Sequence, residues 1–328
     1  MQDNNLTIHL SGNIPEHLFN KRLDQCLAEM FQEYSRSKIK EWIENNHVSV
    51  NGEVIAIPRT KMKGRENVVI SALQEVKVEN KAENIALDIV YEDDDILVVN
   101  KPTGLVVHPG AGNASGTMLN ALLSHVPEID KVARAGIVHR LDKDTTGLMV
   151  VAKNLQAQTS LVEQLQSRTM GREYEAIVMG NLIAGGYVDA PIGRHATKRT
   201  LMAVRETGKP AVTHYRVIEK FRAHTHLRLK LESGRTHQIR VHMTHIKHPL
   251  VGDNQYGGRP RPPKKADASF ADALRSFNRQ ALHAAQLTLN HPVSGERMSW
   301  QVPLPQDISS LLLIMRNDVI DNKDLMEY

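Results

Sequence analysis

Apart from the polar segment at 74–84, the densest group of polar residues in the chain lies at 136–147, with the sequence GIVHRLDKDTTG, between two runs of strand composition. Side chains that do chemistry are commonly placed at strand ends and in the loops that follow them. Arg140 and Lys143 flank Asp142, and neighbouring cations keep a carboxyl group ionised at neutral pH, so that it can act as a nucleophile or a base. The same spacing is also typical of a solvated turn with local salt bridges, in which Asp144 caps the turn.

Two arginines stand in a second polar segment, SGRTHQIRVH at 233–242, where a glycine precedes a short predicted helix. A guanidinium group binds a carboxylate or a phosphate through parallel hydrogen bonds. Arg235 and Arg240 are therefore both candidates for pairing with an acidic side chain or with phosphates. Spacing alone does not choose between them.

Three histidines, His242, His245 and His248, recur at intervals of three in and after this predicted helix. Such spacing can place two imidazoles on one helix face, where they could bind a metal ion. The helix holds no acidic residue, the chain has no second cysteine, and Pro249 ends the helix at once. We therefore favour amphipathic or phosphate-facing histidines over a metal-dependent hydrolase.

Tyr174 lies on a predicted strand in the segment GREYEA and is one of only seven tyrosines. A tyrosine on a strand usually belongs to a half-buried core. Alternatively, its ring can stack on a base that has left its helix, which contributes about 1–3 kcal/mol per base. The sequence leaves both interpretations open.

The residues before 74 predict two helices followed by a hairpin. A one-sided apolar spacing predicts the first helix at Leu23, Cys26, Leu27 and Met30. Ser35 is suited to cap the second helix, because its hydroxyl oxygen can accept from amides of the first turn. Asn51 and Gly52, which tolerate positive φ, predict the turn of a hairpin over 48–55.

Beyond residue 73 the sequence predicts a linker and then a sheet. The segment QEVKVENKAEN at 74–84 is polar and lacks an apolar period, which is typical of an interdomain linker. Strand composition then recurs at 95–99, 137–138, 148–151, 174–179, 213–217 and 227–231. Helices are best supported at 156–166 and 236–245. The simplest architecture is a large, mostly antiparallel sheet.

Composition limits the class of protein and its compartment. The chain of 328 residues has 41 Lys and Arg against 37 Asp and Glu, and this net charge of +4 does not by itself identify a partner. Basic residues cluster locally at 36–40 and 59–65. The single cysteine, Cys26, excludes an internal disulfide and fits a reducing cytoplasm. No apolar stretch approaches the ~18 residues of a membrane span.

Three segments together resemble the motifs of the RluA family of RNA pseudouridine synthases: HRLDKDTTGLMVVAK at 139–153, REYEAIV at 172–178 and GRTHQIRVHM at 234–243. Segments at 22–24, 35–36 and 48–52 are similar to the alpha-L RNA-binding module of a small-subunit ribosomal protein. The resemblance implies an α+β protein with an alpha-L module at 16–73, a linker at 74–85 and a catalytic domain with a mixed, mostly antiparallel sheet at 86–310. The implied RNA-binding residues of the module are Arg36, Lys38 and Lys40.

The resemblance also implies roles for individual residues of the catalytic domain. Asp142 would be the catalytic aspartate, Tyr174 the ring that stacks on the target base, and Arg235 the partner that holds the Asp142 carboxylate. Arg140 would help to displace the target nucleotide. Leu282 would form an apolar wall of the pocket.

The implied reaction breaks the N1 glycosidic bond of uridine, turns the ring and rejoins it through C5, so it requires no redox cofactor and no metal ion. The base must leave its stack to reach a carboxylate, which fits an aromatic ring and cations beside it. The segments at 107–113 and 257–264 resemble family members that modify helix 69 of 23S rRNA, which implies rRNA, free or in a pre-ribosomal large subunit, as the partner. The alternative is a non-catalytic rRNA-binding assembly factor.

Overall fold

A computed structural model describes residues 7–73, 80–110, 112–198 and 200–323. The chain divides after Glu79 into two compact units, and each has its own apolar core. Residues 74–79 of the expected linker lie outside the described residues. The residues that follow are held by the second unit, since the Glu83 amide donates to the Asn120 carbonyl and the Asn120 side chain donates to the Lys81 carbonyl.

The first unit consists of two helices and a four-stranded antiparallel sheet in the order β1-β4-β2-β3. Its elements are β1 (Thr7–Asn13), α1 (Leu23–Met30), α2 (Arg36–Glu44), β2 (Val48–Val50), β3 (Glu53–Val54) and β4 (Asn67–Leu73). Both predicted helices and the hairpin are confirmed. The Ser35 hydroxyl accepts from the Lys38 amide at the start of α2, and Asn51 and Gly52 both have positive φ in the turn.

The strand β1 corrects the expectation that the first domain begins at residue 16. It pairs along the full length of β4, from Thr7 opposite Leu73 to Asn13 opposite Asn67. Only two of its residues, Ile8 and Leu10, are large apolar side chains that pack against the core. This alternation is too short for the sequence to indicate a strand, and the pairing with β4 decides it.

The second unit is built on a nine-stranded sheet in the order β5-β6-β7-β14-β8-β13-β12-β9, with β15 added beside β14. Its first strands are β5 (Ile89–Glu92), β6 (Ile96–Lys101), β7 (Thr146–Ala152), β8 (Gly171–Met179) and β9 (Gly186–Asp189). A separate two-stranded ribbon contains β10 (Ile192–Arg194) and β11 (Met202–Val204). The remaining strands are β12 (Val212–Lys220), β13 (His224–Leu231), β14 (Leu282–Asn290) and β15 (Arg297–Gln301).

Only one pair of neighbouring strands in this sheet, β7 and β14, is parallel among the described residues. The predicted mixed, mostly antiparallel sheet is therefore confirmed. The helices of the unit are α3 (Met118–His125), α4 (Leu155–Gln166), α5 (Gln238–His245), α6 (Ala268–Ser276) and α7 (Gln306–Asp321). The predicted helix at 156–166 corresponds to α4.

The strand β7 leads directly out of the polar segment that contains Asp142. All of its residues are buried, because apolar clusters cover both faces of the sheet at this point. Gly147 has a φ of 112°, and a Cβ atom there would stand 2.3 Å from the Ala284 carbonyl oxygen of β14. Only glycine permits this backbone conformation and approach. The pairing of β7 with β14 thus fixes one end of the Asp142 segment.

Two predicted elements differ from the structure near this segment. Residues 137–138 do not form a strand, because Ile137 makes a single bridge to Val151 and the residues before it form a 3-10 turn. The helix predicted at 236–245 begins at Gln238. His237 has a left-handed φ of 55°, which is incompatible with a continuous helix.

The C-terminal helix α7 extends past the expected domain end at residue 310. Its residues Ile308, Leu311, Leu312 and Met315 are buried in one cluster with Phe270 and Leu274 of α6. The helix is therefore part of the second unit as far as Asp321. None of the helices within the described residues is long and apolar enough to cross a lipid bilayer.

Candidate active site

The polar segment, β8, the start of α5 and the start of β14 surround a cleft of about 900 Å³. The five residues that the resemblance assigned to the catalytic pocket all line it: Asp142, Tyr174, Arg140, Arg235 and Leu282. These residues are up to 142 positions apart in the sequence, between Arg140 and Leu282 (282 − 140). The folding of the sheet therefore brings together side chains that sequence reasoning could only assign one by one.

The loop around Asp142 is held by hydrogen bonds from both sides. The Thr145 amide donates to the Asp142 carbonyl, and the Thr145 hydroxyl accepts from the Gln280 side chain. The His139 ring accepts from the Val150 amide of β7 through Nε2 at 3.1 Å. Burial of this ring, with a smaller effect from the charge of Arg172, lowers the pKa of His139 to about 3. His139 is thus a neutral acceptor that fastens the loop to the sheet.

Lys101, at the end of β6, forms hydrogen bonds that hold the same loop. Its ammonium group is buried and donates to three carbonyl oxygens, those of Pro102, Leu105 and Lys143, at 2.8, 2.9 and 2.8 Å. Burial lowers the pKa of Lys101 to about 8, although the nearby carboxylates Asp144 and Asp142 oppose the shift. Sequence reasoning did not single out this residue, since a lysine after a strand gives no signal of being buried.

The residue that holds the Asp142 carboxylate is Arg240. The prediction that Arg235 holds it is wrong. Arg240 Nη1 lies 2.9 Å from Asp142 Oδ2. Arg235 is exposed at the edge of the cleft, and its Nε donates to the Pro210 carbonyl at 3.2 Å. Arg235 precedes the left-handed turn at His237, whereas Arg240 lies on the buried face of α5. The turn therefore directs the two guanidinium groups to different places.

Arg240 is itself held by a second carboxylate. Asp253 accepts from Arg240 Nε at 2.7 Å and from Nη2 at 2.9 Å, and Gln255 also accepts from Nη2. The guanidinium carbon lies 4.9 Å from the centre of the Tyr256 ring. Burial opposes the charge of Arg240, but the hydrogen bonds and charges of Asp253 and Asp142 prevail and raise its pKa above the usual value. Arg240 therefore stays cationic beside Asp142.

His237 is a further neighbour of Asp142, with its Nε2 atom 3.8 Å from Asp142 Oδ1. Its Nδ1 lies 2.7 Å from the Tyr256 hydroxyl, which accepts from the Met202 amide. The hydroxyl proton is thus free to be donated to Nδ1, which favours the tautomer with the proton on Nε2, facing Asp142. Burial lowers the pKa of His237, so the ring is neutral at neutral pH.

Tyr174 belongs both to the core and to the cleft. It is 6 % exposed and pairs with Leu229 of β13 and Ala284 of β14 across the sheet. Its hydroxyl group has no hydrogen-bond partner among the described residues, and burial raises the pKa of the phenol, which stays protonated at neutral pH. The ring therefore presents an apolar surface to the cleft. The two interpretations of Tyr174 are compatible.

Leu282 and Arg140, which the resemblance also assigned to the pocket, differ in how far they are buried. Leu282 is 5 % exposed and belongs to the same apolar cluster as Tyr174, whereas Arg140 is exposed. Arg172 also lines the cleft and is 7 % exposed. Although it lies in the second motif, sequence reasoning gave it no role.

The three histidines at 242, 245 and 248 do not offer a shared metal site. His242 Nε2 lies 2.9 Å from the Ala190 carbonyl and must donate to it, so Nδ1 accepts from the Thr213 hydroxyl. Both nitrogens of this buried ring are therefore engaged. The expectation of an amphipathic or phosphate-facing role is wrong for His242, which is 0 % exposed.

One group elsewhere in the described residues, Asp93, Asp95 and His291, has the spacing of possible metal ligands. The side chains of this group already make hydrogen bonds within the protein. The Asp93 carboxylate accepts from the amides of Asp95 and Ile96, and His291 Nδ1 accepts from the Ser294 amide, which leaves the Nε2 proton to be donated to Asp93. The group is a hydrogen-bonded turn.

Comparison with known proteins agrees with this geometry. Residues 95–245 match the RNA pseudouridylate synthase family, and residues 21–68 match the S4 domain. The chain is 60% identical over 321 residues to the "Ribosomal large subunit pseudouridine synthase D" of Salmonella typhimurium and of Escherichia coli K12, covering 98% of this chain and 98% of each relative. This chain belongs to the RluA family of RNA pseudouridine synthases.

Solved structures of two human relatives share the fold. "Human RNA Pseudouridylate Synthase Domain Containing 4" is 26% identical with a TM-score of 0.55, covering 70% of this chain and 92% of its own. "Human RNA Pseudouridylate Synthase Domain Containing 1" is 25% identical with a TM-score of 0.51, covering 72% and 96%. As a member of this family, the chain is an RNA pseudouridine synthase with an N-terminal S4 domain.

The S4 domain contains the three basic residues that were expected to bind RNA, all of them on α2. Arg36 pairs with the buried carboxylate of Asp24 at 2.8 Å, and Arg22 pairs with the same carboxylate. Lys38 and Lys40 each lie 3.4 Å from a glutamate one turn further along, Glu41 and Glu44. The Arg36 side chain is still 53% exposed, so its pairing with Asp24 leaves it accessible.

Proposed function

We propose that this synthase converts uridine to pseudouridine in 23S ribosomal RNA, in the helix 69 stem-loop, and that Asp142 is its catalytic residue. The observation that carries the proposal is the pairing of the Asp142 carboxylate with Arg240 in a cleft that also contains Tyr174 and Leu282. The rRNA substrate is supported by the high identity to synthases whose name specifies the ribosomal large subunit.

The geometry suits a carboxylate that acts while ionised. A hydrogen bond from a guanidinium stabilises the charged form, and Asp142 accepts one from Arg240 on Oδ2. The His237 Nε2 atom lies 3.8 Å from Asp142 Oδ1, and Asp142 lines the cleft. An ionised Asp142 can add to C1′ of the ribose, add to the uracil ring or remove a ribose proton, and each route requires the same free oxygen.

The walls of the cleft suit a base that has been turned out of its helix. The Tyr174 ring offers a stacking surface, and Leu282 offers an apolar contact at the opposite strand of the pair β8 and β14. The exposed guanidinium groups of Arg140 and Arg235 lie where they can bind phosphates of the displaced strand. In this proposal Arg140 helps to displace the nucleotide and Arg235 binds the RNA backbone.

The S4 domain supplies further contacts to RNA phosphates through Arg36, Lys38 and Lys40. Such contacts position a protein on RNA without reading each base, and they weaken as salt increases. The reaction takes place in the cytoplasm, on free rRNA or on the pre-ribosomal large subunit. Family membership favours this catalytic function over a non-catalytic assembly factor.

The test uses the purified protein and an unmodified transcript that contains helix 69. We expect pseudouridine at uridines of this stem-loop with the wild-type chain and none with Asp142→Asn, which removes the charge and keeps the volume. Asp144→Asn is the matched control, because Asp144 lies two residues away, is half-buried and has no side-chain hydrogen bond among the described residues. It should keep most of the turnover.

The outcomes separate the parts of the proposal. Pseudouridine at other positions of 23S rRNA would contradict the helix 69 assignment alone. Turnover by Asp142→Asn at more than a small fraction of the wild-type rate would assign the chemistry to another residue. Binding of rRNA without any pseudouridine formation would support the assembly factor instead.

A further inference from the structure

Arg172 is a buried cation that has no hydrogen-bond or ion-pair partner among the residues that the structure describes. Its side chain lines the catalytic cleft, the residue is 7 % exposed, and its Nε atom is buried without a hydrogen bond. No hydrogen bond or ion pair of its guanidinium occurs within the described residues. The other arginines of this unit with similar burial, Arg222, Arg240 and Arg279, each pair with an aspartate.

A buried charge without a partner destabilises a folded chain, so its presence requires a reason. The guanidinium group of Arg172 occupies the space beside Gly234, where a Cβ atom would stand 2.8 Å from Arg172 Nη1. A larger residue at position 234 would therefore collide with it. The charge acts on the cleft, where it is the second cause, after burial, of the lowered pKa of His139. A negatively charged or strongly polar group of the substrate would complete the environment of Arg172.

The strand β8 sets the distance between Arg172 and the proposed stacking surface. Residues two apart on a strand point to the same face, about 7 Å from each other. Arg172 and Tyr174 are both buried on the cleft side, whereas Glu173 between them pairs with Arg228 on the other face. A uracil ring that lies against Tyr174 would therefore have its edge within reach of the Arg172 guanidinium.

The proposed reaction places negative charge on that ring. When the N1–C1′ bond breaks, its electron pair stays on uracil and spreads over the two carbonyl oxygens. At the same time C1′ bonds to the Asp142 carboxylate, or C2′ gives its proton to Asp142 and a C1′–C2′ double bond forms. C5 then bonds to C1′, as either the bond from C1′ to Asp142 breaks or the ribose double bond is consumed and C2′ regains its proton from Asp142. Finally the C5 proton leaves and N1 gains a proton. Addition of the carboxylate to the ring also charges a carbonyl oxygen.

We propose that Arg172 donates hydrogen bonds to a carbonyl oxygen of the target uracil and stabilises the negative charge that develops there. This inference rests on the proposed function, since it requires a uridine in the cleft. Donors aimed at developing charge in a water-poor site are among the strongest contributions to catalysis. Arg172 fits this description because no carboxylate of the described residues forms an ion pair with it.

The test compares RNA stem-loops that carry uridine or 5-fluorouridine at the target position. Fluorine at C5 makes the ring more acidic, so its anion needs less help from the protein. Single-turnover loss of the target nucleoside is measured for the wild type, Arg172→Met, which removes the charge at similar volume, and Arg172→Lys, which keeps it. Arg297→Met, an exposed arginine on β15 of the same sheet, controls for the loss of one positive charge.

We expect Arg172→Met to slow the reaction of uridine at least about tenfold, the effect of losing one charge-assisted hydrogen bond. The loss with 5-fluorouridine should be clearly smaller, Arg172→Lys should recover part of the rate, and RNA affinity should change little. Arg172→Met should also melt at the wild-type temperature or above it, because the substitution breaks no hydrogen bond or ion pair among the described residues.

Equal losses of rate with the two substrates would contradict the proposal, as would a loss confined to RNA affinity. A lower melting temperature for Arg172→Met would indicate a structural role. If the wild-type protein forms no pseudouridine in rRNA, the proposed function fails. If the wild type is active and Arg172→Met is equally active, only the inference about Arg172 fails.

Discussion

Arg240 and Asp253 form a two-point ion pair inside the second unit, with Nε to Oδ2 at 2.7 Å and Nη2 to Oδ1 at 2.9 Å. Both side chains are buried. This pair fixes the plane of the guanidinium and directs the remaining nitrogen, Nη1, to the Asp142 carboxylate at 2.9 Å. The position of the proposed catalytic group thus depends on a residue 111 positions further along the chain (253 − 142).

Replacing Arg240 by Met should have two effects. It leaves the buried carboxylate of Asp253 without its partner, which should lower the free energy of unfolding by about 3–5 kcal/mol. It also removes the charge beside Asp142, so turnover should be lost. Arg235→Met should leave stability within about 0.5 kcal/mol, because Arg235 is exposed. Chemical denaturation and pseudouridine assays on both variants check this, and similar behaviour of the two arginines would contradict it.

Tyr174→Phe should fold as well as the wild type, because the hydroxyl has no hydrogen-bond partner among the described residues. RNA affinity should also be kept, since the stacking ring is preserved. Tyr174→Ala should lose about 1–3 kcal/mol of binding free energy from the lost stack and about 3–5 kcal/mol of stability from the cavity. Equal RNA affinity of Phe and Ala variants, measured below their melting temperatures, would exclude stacking. Loss of turnover in Phe with affinity intact would assign proton transfer to the hydroxyl.

Lys101 should set an alkaline limit on activity. Its pKa is lowered to about 8, so above this pH the ammonium loses a proton and one of its three hydrogen bonds to the loop around Asp142. Turnover at saturating RNA should therefore decrease as pH rises through about 8. Lys101→Met should be slower at neutral pH and should lack this decrease. An unchanged alkaline limb in the variant would show that another group causes it.

The same shift in the pKa of Lys101 should make the folded chain more stable as pH rises, whereas turnover decreases. The folded chain loses the Lys101 proton at a pKa of about 8, against 10.5 for the ordinary lysine. Between these values the unfolded state binds more protons, so this residue makes the folded state more stable as pH rises. The difference in unfolding free energy between the wild type and Lys101→Met, followed from pH 8 to 10.5, measures this effect. If the stability of the wild type relative to Lys101→Met decreased over this pH range, the lowered pKa of the buried Lys101 would be contradicted.

The S4 domain should contribute binding and no chemistry. A truncated chain that begins at Asn80 should fold, because the second unit has its own core and Lys81 and Glu83 belong to it. It should keep turnover at saturating RNA, need more RNA to saturate, and depend less steeply on salt because phosphate contacts are lost. Saturation curves at two salt concentrations test this. Unchanged affinity and salt slope would show that the domain does not hold the substrate.

The sequence by itself determined the local elements of the first unit and some of the residues of the cleft. The helix at Leu23–Met30, the Ser35 cap and the Asn51 and Gly52 turn follow from neighbouring residues, because apolar spacing, side-chain acceptors and positive φ act within a few positions. Asp142, Tyr174 and Leu282, which the family resemblance assigned to one pocket, line the same cleft, and their roles in the reaction stay predictions.

Tertiary structure alone decided which arginine holds Asp142. Arg235 and Arg240 are chemically identical and five positions apart, so local sequence offers no criterion for choosing between them. The choice depends on the left-handed turn at His237, on the buried face of α5 and on the position of Asp253 in a later loop. The burial of Lys101 and Arg172 could likewise not be predicted from the sequence, because neighbouring residues do not show which distant segment will cover a charged side chain.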